Sequence, residues 1–240
     1  IKQYFWHMVE KKFIRKTKTV LVTADGDKLI LNKLYENLKI IKIYNFPSFK
    51  MKSKNNNLLR EKINLSKDQK IFLYQGVLHP GRGIISMISL LNYFSNTHVV
   101  IIGDGPNKKR IIDFVKKSNF MDRVHLLGKI KYEKMLQLTS GADVGFSIIK
   151  PISKSYEHAL PNKIFEYTLS GVPMICSDLI EMKKIIKKYE IGIAVPFNNT
   201  EKQIIGLKKI LKNKMGFIED FKNSELIWEA QEIFFMKAIN

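Results

Sequence analysis

The side chains best suited to chemistry lie in a few short stretches. Tyr74-Gln-Gly76-Val-Leu-His79-Pro-Gly81-Arg82-Gly83 places glycines and an arginine between an apolar run and an amphipathic one. Glycines let a backbone approach a phosphate, a helix start offers free N–H groups, and the arginine fork suits a diphosphate. The same residues also read as an ordinary strand-to-helix turn with a solvent-facing arginine. Ser155-Tyr-Glu157-His158-Ala-Leu-Pro161-Asn162-Lys163-Ile-Phe-Glu166 gathers a glutamate, a histidine and a lysine ahead of and into a helix. Glu166 falls about one turn in, where a carboxylate can accept both hydroxyls of a ribose. Lys163 and the first-turn amides can face a diphosphate. Acidic residues and asparagine are also common simply as helix-start residues, and Glu157 and His158 taken alone fit a solvated loop. Gly103-Asp104-Gly105-Pro106 opens like a dinucleotide fingerprint, but Lys108 stands at the third glycine position, so a tight turn is the stronger reading. Asp25-Gly26-Asp27 after Thr19–Ala24 could be a metal–diphosphate Asp-x-Asp; a turn with a helix N-cap fits better.

These groups need elements to hold them. Short β-branched runs alternate with amphipathic segments, which predicts an α/β fold with a Rossmann-like doubly wound parallel sheet. Strands are expected at 19–24, 40–44, 70–75, 98–102, 124–127, 144–148, 173–177 and 192–195. Helices are expected at 28–38, 84–94, 108–118, 132–140, 162–170, 180–189, 201–213 and 225–238. Ligands of such sheets sit at the carboxyl ends of the strands, so the loops at 76–83, 103–107, 128–131 and 149–163 should form the site.

Composition narrows the class. The 240 residues are 45% hydrophobic, enough for one full core and part of a second. Cys176 is the only cysteine, which excludes an internal disulfide and a cysteine-based zinc site and points to a reducing, cytoplasmic compartment. No apolar run is long enough to span a bilayer, and Ile1–Lys18 lacks the layout of a signal peptide. The absence of an initial methionine points to a natural start further upstream. The net charge of +19 favours anionic partners, but the lysines are scattered and no basic block makes an arm, so no nucleic-acid partner is expected.

The order of these stretches is similar to the family-four retaining glycosyltransferases of GT-B fold. It runs Gly-loop–Arg82-Gly83, Ile-Ile-Gly-Asp-Gly-Pro, Val-His-Leu-Leu-Gly, Ala142-Asp-Val-Gly-Phe, then Pro-Asn-Lys-Ile-Phe-Glu-Tyr…Ser-Gly-Val-Pro-Met-Ile. The resemblance covers about 70–240 and, more weakly, 19–48. It implies residues 1–49 as the end of an N-terminal acceptor domain, a second Rossmann-like unit of which only a remnant is present. It implies 50–66 as linker, 67–215 as the nucleotide-sugar-binding domain, and 216–240 as a helix crossing back. Gly76 and Gly83 would bracket the loop under the diphosphate. Arg82 would stand for the family's phosphate-binding lysine, while Val77 replaces a frequent arginine. Gly128, Lys129 and Ile130 would meet the base. Pro161, Asn162 and Glu166 would complete the donor site, with Glu166 as ribose ligand. The family's partner glutamate falls at His158, with Glu157 one step off, and Lys163 fits an Asn-Lys variant of the motif. Arg82, Lys163, Glu157 and His158 are thereby the candidate catalytic set.

The implied reaction moves a sugar from a nucleoside diphosphate sugar to a glycan or lipid-linked acceptor, with retention and without a metal or other cofactor. The implied setting is bacterial cell-surface polysaccharide synthesis on the cytoplasmic face, with an anionic membrane surface as a further candidate partner. With the acceptor half so incomplete, the isolated chain is expected to bind donor and transfer little sugar. Two other readings stand beside it: a nucleotide-sugar epimerase of the same fold, and a non-catalytic basic module that binds nucleotides or anions.

Overall fold

The longest uninterrupted apolar runs become the central strands. In the computed structural model, which describes residues 2–14, 16–51, 57–213 and 225–239, a six-stranded parallel sheet is formed by β3 (Lys70–Gln75), β4 (Thr97–Ile102), β5 (Val124–Gly128), β6 (Val144–Ser147), β7 (Met174–Ser177) and β8 (Gly192–Val195). Its order is β5-β4-β3-β6-β7-β8. Alternate residues of β3 face opposite cores. Ile71 and Leu73 join one apolar cluster, and Phe72 and Tyr74 join the other. Burial on both faces is why these strands read as continuous runs rather than alternating ones. Each fully buried Ile, Leu or Phe there contributes about 1.5–3 kcal/mol.

Helices α4 (Ile84–Ser89), α5 (Lys108–Lys116) and α10 (Thr200–Lys212) cover one face. Helices α6 (Tyr132–Thr139), α8 (Lys163–Leu169) and α9 (Ile180–Tyr189) cover the other. The helix expected over 84–94 is α-helical only to Ser89 and tightens into a 3-10 turn at Leu90–Asn92. Two short helices, α3 (Leu58–Lys62) and α7 (Lys154–Glu157), lie in connections where none was anticipated.

The chain runs β3 to β4 to β5 in one direction, then crosses back to place β6 on the other side of β3. That reversal opens a crevice beyond the carboxyl ends of β3 and β6, the natural ligand position of a doubly wound sheet.

The N-terminal part holds α1 (Lys2–Ile14), β1 (Thr19–Val22), α2 (Asp25–Leu34) and β2 (Lys39–Lys42), with β1 and β2 forming a two-stranded parallel sheet. Helix α2 starts at Asp25, three residues before the expected Lys28. Its N-cap is Ala24, without a side-chain bond, so the expected aspartate cap is absent. Asp25 instead pairs with Lys42 at 2.5 Å and with Lys184.

Helix α11 (Trp228–Ile239) packs on the segment after β2. Gln231 bonds both the N–H and the carbonyl of Tyr44, Glu229 accepts from Ser48 Oγ and the Phe49 N–H, and the Trp228 N–H donates to Pro47 O. Parts of the expected linker (52–56) and of the returning segment (214–224) lie outside the described residues.

Candidate functional site

Loop 76–83 owes its shape to close backbone packing. A Cβ on Gly105 would stand 2.7 Å from the Leu78 nitrogen, and one on Gly103 would overlap the carbonyl of Gly76. These glycines let the β4–α5 turn press against the β3–α4 loop, which accounts for Gly103-Asp104-Gly105 without a nucleotide. Asp104 bonds the Gly105 N–H at 2.8 Å and pairs with Lys108 at 2.9 Å, as a tight turn requires. Gly83 starts α4 in the left-handed region at φ 65°, tight against Ile148 at the end of β6. The loop is thus pinned over the crevice, and Arg82 is carried to its rim.

Lys163 is the first residue of α8 and is only 9% exposed. Its Nζ lies 3.7 Å from the Tyr74 ring centroid and the same distance from where a Gly76 Cβ would be. Among the described residues it has no hydrogen-bond acceptor and no ion pair. Burial, and then repulsion from Arg82, push its pKa down to about 7, against the opposing pull of Glu166. Arg82 rests over the Tyr156 ring at 5.0 Å and likewise has no carboxylate partner among the described residues. Arg82 and Lys163 therefore face one crevice with no carboxylate hydrogen-bonded to either among the described residues, Glu166 pulling on Lys163 through charge alone.

Glu166, 8% exposed, accepts a 2.6 Å hydrogen bond from Gln75 Nε2. Burial raises its pKa, while the bond from Gln75, the charge of Lys163 and the nearby Tyr132 hydroxyl pull the other way. Because Gln75 immediately precedes Gly76, Glu166 lies at the root of the glycine loop. Arg82, Lys163, Glu166 and Gly76 are brought together from segments far apart in sequence.

Other expected residues are placed as follows. Gly128 ends β5 at φ 69° beside open space, and its carbonyl accepts from the Gly103 N–H at 2.8 Å. Ile130 packs against the core. Asn162 is the N-cap of α8 but makes no side-chain cap bond, so capping does not account for it. Pro161 and His158 line a cleft of 230 Å³ with Thr23, Ala24, Asp27, Arg82 and Tyr156. His158 packs onto Gly26, where any Cβ would overlap the imidazole, and its Nδ1 is buried without a partner. Glu157 is exposed at the end of α7 and is not among the residues lining this cleft.

Residues that sequence reasoning left without a role are Gln75, Tyr132, Tyr74 and Tyr156. A polar Gln closing an otherwise apolar, buried strand was the available signal for the first. Among the described residues, no group of three His, Cys, Asp or Glu side chains could hold a metal ion.

The uncharacterized glycosyltransferase MJ1059 of Methanocaldococcus jannaschii is 24% identical over 177 residues, covering 70% of this chain and 41% of that protein. A sucrose-phosphate synthase from Thermosynechococcus elongatus shares the fold with TM-score 0.72 at 23% identity, over 86% of this chain and 52% of the other. HepE from Anabaena, solved in complex with UDP, does so with TM-score 0.73 at 14% identity, over 93% and 64%. The chain spans about half the length of the first two relatives. Residues 55–225 match the family of Glycosyl transferases group 1, and the chain belongs to that family.

Proposed function

We propose that this chain binds a nucleoside diphosphate sugar at the β3/β6 crevice and serves as the donor half of a sugar-transfer enzyme acting on a glycan or lipid-linked acceptor. The supporting observation is the pair Arg82 and Lys163: two cations, one nearly buried, aimed at a glycine loop with no carboxylate between them. A diphosphate supplies the missing charge. Glu166, about one turn further along α8, is set to accept ribose hydroxyls, with Gly128 and Ile130 beside the base. HepE has been solved with UDP and glucose, and a pneumococcal O-GlcNAc transferase with UDP and GlcNAc, which favours a UDP-type donor here as well.

In the reaction the bond from the sugar's anomeric carbon to the diphosphate oxygen breaks as the acceptor oxygen attacks. Charge builds on the departing diphosphate, and Arg82 and Lys163 stabilise it in a site that excludes much of the water. That role would take the place of a metal ion, and retention is what the resemblance to the family-four enzymes implies. Protonated Lys163, beside the loop, balances the leaving group as it develops charge. His158, at the cleft where the two parts of the chain meet, borders the sugar.

The chain acts at a cytoplasmic membrane face, in bacterial surface-polysaccharide synthesis. Exposed Tyr4, Phe5, Trp6 and Phe13 on α1, with Lys11 and Lys12 in its last turn, suit an anionic lipid surface. Among the described residues no helix is long and apolar enough to cross a membrane. Sedimentation with vesicles that is indifferent to anionic lipid content refutes this membrane role.

Isothermal titration with UDP, GDP, ADP and their sugars, with and without EDTA, tests the donor site. Binding that survives EDTA and is lost in Arg82→Ala supports it. A folded chain that takes up no nucleotide overturns it.

A further inference from the structure

Glu166 can serve as a ribose clamp only if its carboxylate is ionised and correctly turned, and a buried carboxylate tends toward neither. The structure holds it from two sides. Gln75 Nε2 donates to Oε2 at 2.6 Å from the end of β3, and the Tyr132 hydroxyl, on the first turn of α6, lies close enough to help hold the carboxylate's pKa down. Gln75 is 1% exposed and has its own orienting partner. Thr139 Oγ1, fully buried in α6, lies 2.7 Å from Gln75 Oε1 and 2.8 Å from the Met135 carbonyl.

The orientation of an amide follows from its neighbours. Reversing Gln75 would set its oxygen 2.6 Å from a carboxylate oxygen, a repulsive contact, and leave the amide nitrogen on Thr139. The carboxylate therefore sets the amide: Nε2 points at Glu166 and Oε1 faces the Thr139 hydroxyl, whose single hydrogen is shared between Oε1 and the Met135 carbonyl. A carboxylate offers about four acceptor sites. Gln75 occupies one, which leaves enough for both hydroxyls of a vicinal diol.

We infer that Gln75 is the positioning residue that makes Glu166 a two-acceptor clamp for the cis-diol of the donor ribose, with Thr139 holding the amide oxygen. The inference rests on the donor-site reading above and adds to it a specific recognition, that of ribose over deoxyribose. Gln75 lies inside the sheet and works through Glu166; it is not a catalytic residue.

The experiment compares UDP, GDP and ADP with their 2′-deoxy counterparts by calorimetry, on the full chain. Wild type should prefer the ribonucleotide by about 10- to 100-fold, the range of one hydrogen bond to a charged group. Glu166→Gln should reduce this preference to near unity. Gln75→Leu should weaken ribonucleotide binding and collapse the same ratio, while leaving the affinity for the deoxynucleotide close to wild type. Thr139→Val, a change of equal shape, should lower the ratio partway. It carries the same readout should Gln75→Leu fail to fold by circular dichroism.

A ratio lost in Glu166→Gln but unchanged in a folded Gln75→Leu, or in Thr139→Val where that variant stands in for it, overturns the role of Gln75 and leaves the donor site standing. A wild-type ratio near unity, or no nucleotide binding at all, overturns the reading of Glu166 and the inference with it.

Discussion

On the proposed donor site, Lys163 would make binding sensitive to pH in a way that can be worked out beforehand. In the empty crevice its pKa is brought down to about 7 by burial, with Arg82 as the next cause. Glu166 opposes the shift, and the flanking Tyr74 ring, itself pushed up to about 12 by burial, stays neutral over this range. A bound diphosphate returns the ammonium to full charge. Binding therefore takes up a proton whenever the empty site lacks one.

The charged fraction of the empty site falls from about nine-tenths at pH 6 to about three-hundredths at pH 8.5, so affinity should drop about 30-fold across that interval. Below pH 6 it should be flat. A nucleotide sugar is the right probe, because its diphosphate diester does not titrate in this range. Calorimetry in two buffers of different protonation enthalpy counts the protons: close to none at pH 6, about half at pH 7 and nearly one at pH 8.5. Lys163→Arg should bind without pH dependence, since a guanidinium stays charged. Enthalpies independent of buffer, together with a level affinity from pH 6 to 8.5, refute the reasoning.

Further outcomes follow from the same coordinates. Lys163→Met should raise stability at pH 7 by about 1–2 kcal/mol in urea unfolding while weakening nucleotide binding at pH 6, because it removes a buried cation without an acceptor. His98 Nδ1 lies 3.0 Å from His125 Nε2, and burial lowers both pKa values, with His125 and Arg123 adding to the shift at His98. The folded pair resists protons that the unfolded chain accepts, so its stabilisation is present above the ordinary imidazole range and is lost as pH falls through it. Urea melts from pH 7.5 to 5 check this, and His98→Asn/His125→Asn should flatten the profile. Gly26→Ala should cost about 1–3 kcal/mol through overlap with His158, and adding His158→Ala should restore most of it.

The six-stranded sheet was legible because its strands are buried on both faces and their apolar runs are continuous; Lys70–Gln75, Ile180–Tyr189 and Gly192–Val195 have the expected bounds. The crevice was legible as well, since strand order fixes which loops meet. The start of α2 was not. Asp25 reads as a cap in any local window, yet ion pairs with Lys42 and Lys184 take its carboxylate, and Lys184 is 159 residues away. The grip on Glu166 was equally hidden: Gln75 and Thr139 are 64 residues apart, and neither has a side chain that advertises binding. Glu157 and His158 are adjacent in sequence, and only the turn of α7 decides which of them reaches the cleft.

The β1–β2 pair is fastened to the larger sheet in two places of different kind. Behind, α11 grips residues 44–49 through both backbone and side-chain bonds. In front, the Gly26 N–H donates to Glu181 at 3.0 Å and Lys184 reaches Asp25, while the second Glu181 oxygen is buried without a partner. The rear contact is the denser of the two, and the front one also carries His158 packed onto Gly26. Gly26 therefore carries two contacts to the larger unit at once: its N–H on Glu181 and its bare Cα under the His158 ring.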